Sequence, residues 1–368
     1  CLVLCFNVYP AQQDDDCGRY FNSLLDQRIK TKELNIMSKT TRPKSSVREL
    51  KRHFEHLRTS LWSDVDSGNS YPAVRPLLAH YTSIDTLHQI IKNEELWFSN
   101  PLFMNDVQEL RFGMVEGQKA FFQHAGLRLA CKTPARYQML CHAFEHYFSE
   151  FEQAHAFDTY IMCLSEHDST DQDGRLSMWR GYGANGNGAA LVFNTGNLTV
   201  KEGSPLILSR VIYATTGQRL AWIDGKLDGL AQSIERENFA TKHLYAAAYT
   251  FLERLKIFSL FTKHKGFEEE REWRVAYMRD RDGANAFDPL LSYVIGSQGL
   301  QPKLKFKVAP LPGATGDDLH LSKLVDRIIL GPTVSSDMSR MVIRRMLEHC
   351  GKPELTERVV ASTTPYRS

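Results

Sequence analysis

Hydrophobic and polar positions divide the chain into two kinds of segment. Short apolar runs bounded by turn residues read as strands: Leu77–Tyr81, Glu95–Ser99, Tyr160–Ser165, Ala189–Phe193, Leu208–Tyr213, Leu291–Val294, Leu304–Val308, Val325–Leu330 and Val359–Ser362. Apolar residues at helical spacing mark the other kind. In Ser46–Trp62, Val47, Leu50, Phe54, Leu57 and Leu61 recur on one face, as in a packing helix. Ser83 caps a helix carrying Leu87, Ile90 and Ile91. Residues 110–157 and 217–264 form two helical blocks, Leu176–Tyr182 a short helix, and Ser336–Cys350 a later one. The strands arrive irregularly and the helices cluster. That pattern predicts an α+β fold rather than a wound βαβ sheet.

The most chemically loaded stretch is Gly266–Tyr277. Read as one strand, it places Glu270, Glu272 and Arg274 on one face and Trp273, Val275 and Tyr277 on the other. The apolar row anchors the backbone, and the opposite face holds a Glu-x-Glu pair beside an arginine. The plain alternative is a solvated charged face closed by a Glu272–Arg274 pair.

Other polar groups stand at strand ends. His80, Tyr81 and Thr82 close the first strand, and Ser99 and Asn100 close the second. Asn105, Asp106 and Glu109 follow in a polar loop. Trp179, Arg180 and Tyr182 put two aromatic rings around a guanidinium, suited to stacking or to holding a phosphate. Gly181, Gly183 and Gly186 fit a G-x-G-x-x-G spacing. A strand follows them where the dinucleotide fingerprint requires a helix, so they read as turn residues.

Composition adds bounds. At 368 residues, 42% hydrophobic and 24% charged, the chain is long enough for one large domain with insertions or for two domains. The net charge of +2 implies no general affinity for polyanions and leaves room for a local basic patch. No apolar run is long enough to span a bilayer. The opening Cys1–Pro10 lacks a signal-peptide pattern, and the first methionine is Met37. Residues 1–36 therefore read as a non-native or disordered extension. Residues 37–74 read as a helix plus linker, and 75–368 as the catalytic-type domain. Cys131, Cys141, Cys163 and Cys350 are dispersed without metal-ligand spacing, as expected in a reducing cytoplasm.

Taken in order, these blocks resemble a bacterial family, domain-of-unknown-function family 2971. The resemblance runs from about Leu77 to Arg367. It rests on His80-Tyr81-Thr82-Ser83, Leu96–Pro101, Phe103–Asp106, Cys163–Glu166, Met178–Gly183, Glu270-x-Glu272-Trp273-Arg274, Ile328–Pro332 and the terminal Pro365-Tyr366-Arg367. It implies an ADP-ribosyltransferase-like architecture: two small, mainly antiparallel sheets around a cleft, with helical insertions. It also implies NAD as co-substrate and places the chain among toxin and phage-defence proteins of the abortive-infection kind.

On this resemblance Glu272 stabilises the reacting ribose and Glu270 accepts the proton of the nucleophile. His80 anchors NAD. Tyr81, Thr82, Ser99, Asn100, Trp179, Arg180 and Tyr182 line the nucleotide site. The acceptor is a protein, a nucleic acid or water. Two other readings stay open. One is a metal-dependent nuclease built on Asp106, Glu109, Glu270 and Glu272, since hard carboxylates suit Mg²⁺. The other is a noncatalytic ligand-binding or sensor module.

Overall fold

The computed structural model describes residues 44–65, 68, 71–104, 107–199, 201–296 and 299–366. The expected extension over 1–36 lies outside them, as do Asn105, Asp106, the Glu109 side chain and Arg367. The architecture is mixed α+β, with a mostly antiparallel open sheet and many helices.

The strands are β1 (Leu77–Ser83), β2 (Glu95–Ser99), β3 (Thr159–His167), β4 (Gly188–Asn194), β5 (Leu206–Arg210), β6 (Ile212–Ala214), β7 (Thr262–His264), β8 (Glu272–Met278), β9 (Leu291–Gly296), β10 (Gly299–Lys307), β11 (Val325–Leu330) and β12 (Val359–Ala361). Ten of them form one sheet in the order β12-β11-β4-β1-β3-β2-β10-β9, with β8 and β5 branching from β3. Strands β6 and β7 form a separate parallel pair. The expected two small sheets are thus one large sheet that forks. On one edge of β3, β1 pairs only through Leu77–Ala79 and β2 only at Ser99. Along the other edge β8 pairs in full, from Thr159↔Met278 to Ser165↔Glu272. The sheet therefore opens into two halves that share β3.

The helices are α1 (Lys44–Leu61), α2 (Ile84–Asn93), α3 (Val107–Gln123), α4 (Ala125–Ala130), α5 (Pro134–Glu150), α6 (Leu176–Gly181), α7 (Thr216–Arg236), α8 (Leu244–Leu260), α9 (Leu321–Leu324) and α10 (Asp337–His349). Ser83 caps α2 as its sequence predicts, its hydroxyl accepting from the Thr86 amide at 3.1 Å. Leu87, Ile90 and Ile91 of α2 then pack against Leu78, Leu191 and Trp273 on one face of the sheet.

The other face carries the helical block around α8. There Leu255, Phe251 and Phe258 meet Phe121, Phe144 and Leu227. Each such buried side chain contributes about 1.5–3 kcal/mol. Helix α3 lies close to α8 because Gly113 and Gly117 present no side chain. A Cβ on Gly117 would stand 2.4 Å from a Leu255 methyl.

The boundary expected near residue 75 does not separate two packing units. Leu57 and Leu61 of α1 belong to the helical core. Asp64, in the expected linker, accepts from Lys226 at 2.7 Å, Trp222 at 2.7 Å and Arg254 at 3.0 Å. Among the described residues, no helix is long and apolar enough to cross a membrane.

Candidate active site

The Glu-x-Glu segment departs from its predicted geometry. Lys265–Glu270 form 3-10 turns, and Arg271 takes a left-handed backbone with φ +42°. Strand β8 begins only at Glu272. The predicted strand over Gly266–Tyr277 is therefore half strand, and Glu270 is not the neighbour of Glu272 along a pleat. The turn brings the two carboxylates together by another route. Lys263 Nζ donates to Glu270 at 2.6 Å and lies 3.4 Å from Glu272. Both side chains thus converge on a single buried ammonium.

The two carboxylates differ sharply in surroundings. Glu272 is buried. Arg274 donates to it twice, through Nε at 2.7 Å and Nη2 at 3.0 Å, and spends Nη1 on the Leu260 carbonyl at 2.7 Å. Burial pushes the Glu272 carboxyl up. Arg274, Lys263 and the Cys163 thiol outweigh it and leave the group below the ordinary glutamate range. The Tyr213 hydroxyl receives the Glu272 backbone amide at 2.8 Å. Glu272 is a locked structural anion.

Glu270 stands further out. Its side chain keeps 15% exposure, and one oxygen accepts from the Tyr182 phenol at 3.1 Å. Tyr182 is itself 47% exposed. The Ser165 hydroxyl donates to the Glu270 carbonyl at 2.7 Å and holds that backbone against β3. Glu270, Tyr182 and Lys263 therefore form an acid–base group that solvent can reach, backed by the buried Glu272–Arg274 pair.

The remaining predicted residues are divided among other tasks. His80 pairs with Leu191 on β4, whereas Ala79 faces Ser165, the partner of Glu272. Alternation therefore sets His80 on the opposite face of the sheet from Glu272. Cys163 joins the two. Its carbonyl meets His80 Nδ1 at 3.5 Å, and its thiol points to Glu272. Burial lowers the His80 pKa, so the ring is neutral at pH 7.

Tyr81 and Trp179 are buried and cross edge-to-face at 4.8 Å. The Tyr81 hydroxyl accepts from the Arg175 amide at 2.8 Å, and the Trp179 indole donates to the Asp173 carbonyl at 2.9 Å. Both are framework residues, as is buried Thr82. Asn100 is wholly buried and donates to the carbonyls of Ala156, Phe157 and Thr159 at 2.9–3.0 Å. Ser99 accepts from Lys303 at 2.6 Å. Arg180 is exposed and lies over the Tyr366 ring. Of the predicted set, Glu270, Glu272 and Tyr182 gather around Lys263, while Tyr81 and Trp179 meet each other elsewhere. Lys263, on which the two carboxylates converge, is absent from the prediction. Among the described residues no group of three or more His, Cys, Asp or Glu side chains is placed to hold a metal ion.

Residues 178–275 match the family model described as Protein of unknown function (DUF2971). The family resemblance read from the sequence thus holds over that segment. The DUF2971 segment runs from Met178 in α6 to Val275 in β8, so it contains Tyr182, Lys263, Glu270, Glu272 and Arg274 together. His80, Tyr81, Thr82, Ser99 and Asn100 lie outside it. Searches of curated proteins and of solved structures returned no match.

Proposed function

We propose that this chain is an NAD-consuming enzyme of the ADP-ribosyltransferase kind, with Glu270 as its reacting carboxylate. The observation carrying this reading is the asymmetry of the two glutamates. Glu272 is neutralised and buried, while Glu270 is reachable and hydrogen-bonded to an exposed phenol that a ligand can displace. The forked sheet is consistent with the architecture: two halves diverge from a shared β3, as a nucleotide cleft between sheets requires.

In this chemistry the nicotinamide–ribose bond breaks and nicotinamide leaves with the electron pair. The ribose carbon becomes oxocarbenium-like and bonds to the acceptor nucleophile. Glu270 stabilises the cationic carbon and takes the nucleophile's proton. Lys263 and Tyr182 orient its two oxygens. Glu272 and Arg274 hold Lys263 and the turn in place and touch no substrate. A toxin or phage-defence role follows if the acceptor is a macromolecule.

The test is NAD turnover by the purified chain, alone and with cell extract, followed by nicotinamide release. Glu270→Gln is expected to lower the rate by about 10²–10⁴-fold, the usual range for a positioned acid–base group, with the folded state intact. Tyr182→Phe is expected to keep most of it. Intact NAD that is neither bound nor consumed, with or without extract, would sink the reading.

A further inference from the structure

The half-sheet β2-β10-β9 carries a feature that the site above does not use. Strand β10 alternates Leu304 and Phe306, buried in the core, with Lys303, Lys305 and Lys307 on the other face. These lysines stand directly opposite Ser99, Trp97 and Glu95 of β2. Trp97 is 42% exposed, and Lys305 Nζ lies over its ring at 4.7 Å from the centroid. The Trp97 indole donates to Glu95 at 3.1 Å, which fixes the ring plane. Lys303 Nζ donates to Ser99, and Lys307 Nζ to the Asn93 carbonyl at 2.7 Å. Among the described residues none of the three lysines has a carboxylate partner within ion-pair distance. Glu95 is the one acidic side chain in the register opposite them.

Lysines often guard sheet edges against aggregation. Here they do not: β10 has β2 on one side and β9 on the other, so its backbone is already paired. Neighbouring lysines sit two residues apart, about 6.6–6.8 Å along the strand. That spacing suits successive backbone charges of an extended polyanion. An exposed indole beside the row adds a face on which a planar base can stack.

We propose that this face binds single-stranded nucleic acid, with Lys303, Lys305 and Lys307 along the phosphates and Trp97 under a base. The charge row favours a polyanion, and the fixed indole favours one that carries aromatic bases. The proposal is independent of the NAD reading, because its test uses no NAD.

The experiment is fluorescence anisotropy of labelled oligothymidylate and oligouridylate with the full chain, at salt between about 50 and 200 mM. Binding is expected with a log–log salt slope near −2, about −0.7 for each lysine–phosphate contact in a single strand. Lys305→Met should shallow that slope by about 0.7. Trp97→Ala should weaken binding by roughly 5- to 150-fold, and Trp97→Phe should retain most of it. Lys119→Glu, in α3 of the helical block, is the control and should change neither. Unchanged melting temperatures keep the comparison clean. No binding at the lowest salt overturns the proposal. So does binding indifferent to Trp97→Ala and equalled by heparin, which would leave a mere basic patch.

Discussion

Glu272→Gln keeps the shape of the side chain and removes the charge that Arg274 and Lys263 share. The three N···O separations are 2.7, 3.0 and 3.4 Å. At an effective dielectric of ~20, one such unit-charge contact has a gross attraction of about 5 kcal/mol. The net loss is smaller, because the carboxylate regains its own hydration on unfolding. Both cations stay buried, however, and the amide offers them one neutral oxygen in place of the carboxylate's two charged ones. Breaking one side of such a buried pair costs about 3–5 kcal/mol. For a chain of this length that is a fall in Tm of roughly 4–7 °C.

Thermal melting followed by circular dichroism at pH 7 reads this directly. Glu270→Gln, melted in parallel, should lose only about 1–2 kcal/mol. The pH arm has a definite sign. The folded pKa of Glu272 lies below its unfolded value, so its contribution is complete above about pH 4.3 and is lost as pH falls through the folded value. The gap between wild type and Glu272→Gln should therefore narrow below about pH 4. A variant melting within about a degree of wild type at pH 7 would refute the structural role assigned to Glu272. A gap constant from pH 7 down to about pH 3 would do the same.

Asp64 provides a second pH signature. Burial pushes its carboxyl up, but Arg254, Lys226 and Trp222 hold it down at about 2. Its stabilisation is present above the unfolded pKa and disappears between about pH 4 and pH 2. After allowance for solvent screening it amounts to about 1–2 kcal/mol, and Asp64→Asn in acid titrations should show that loss already made at pH 7. Asn100→Asp sets a carboxylate among three carbonyl oxygens and should cost more than Asn100→Ala in urea melts, by at least about 2 kcal/mol. Gly188→Ala would drive its Cβ to 2.1 Å from the Thr82 carbonyl. It should separate β1 from β4 there and show as lost soluble yield or a strongly lowered Tm.

Local signals carried far in this sequence. The apolar runs at Ala189–Phe193 and Val325–Leu330 became strands almost to the residue, and Ser83 and Ser336 cap the helices that follow them. What failed was anything that depended on register or distant partners. The alternation of Trp273, Val275 and Tyr277 does not extend back past Arg271. A non-glycine left-handed residue leaves no mark in composition, and the run of glutamates carries no turn signal.

His80 and Glu272 could be placed on opposite faces only once β1, β3 and β8 were aligned. Lys263, between Thr262 and His264, reads as a surface lysine. Its burial makes sense only beside carboxylates that come after an intervening turn. Asn100 and Trp179 look like ligand groups in isolation. Each is occupied by backbone groups that local sequence does not reveal.

The long-range pairing of β4 bears on how this chain is made. One edge of β4 meets β1 early, but the other waits for β11, and β12 joins only through β11. During synthesis the Ala189–Phe193 strand is therefore a bare apolar edge until more than a hundred further residues have emerged. Such non-local closure slows folding and exposes the intermediate to association with other nascent chains. Yield of soluble protein should thus respond more to temperature and chaperone supply than the stability of the finished fold would suggest.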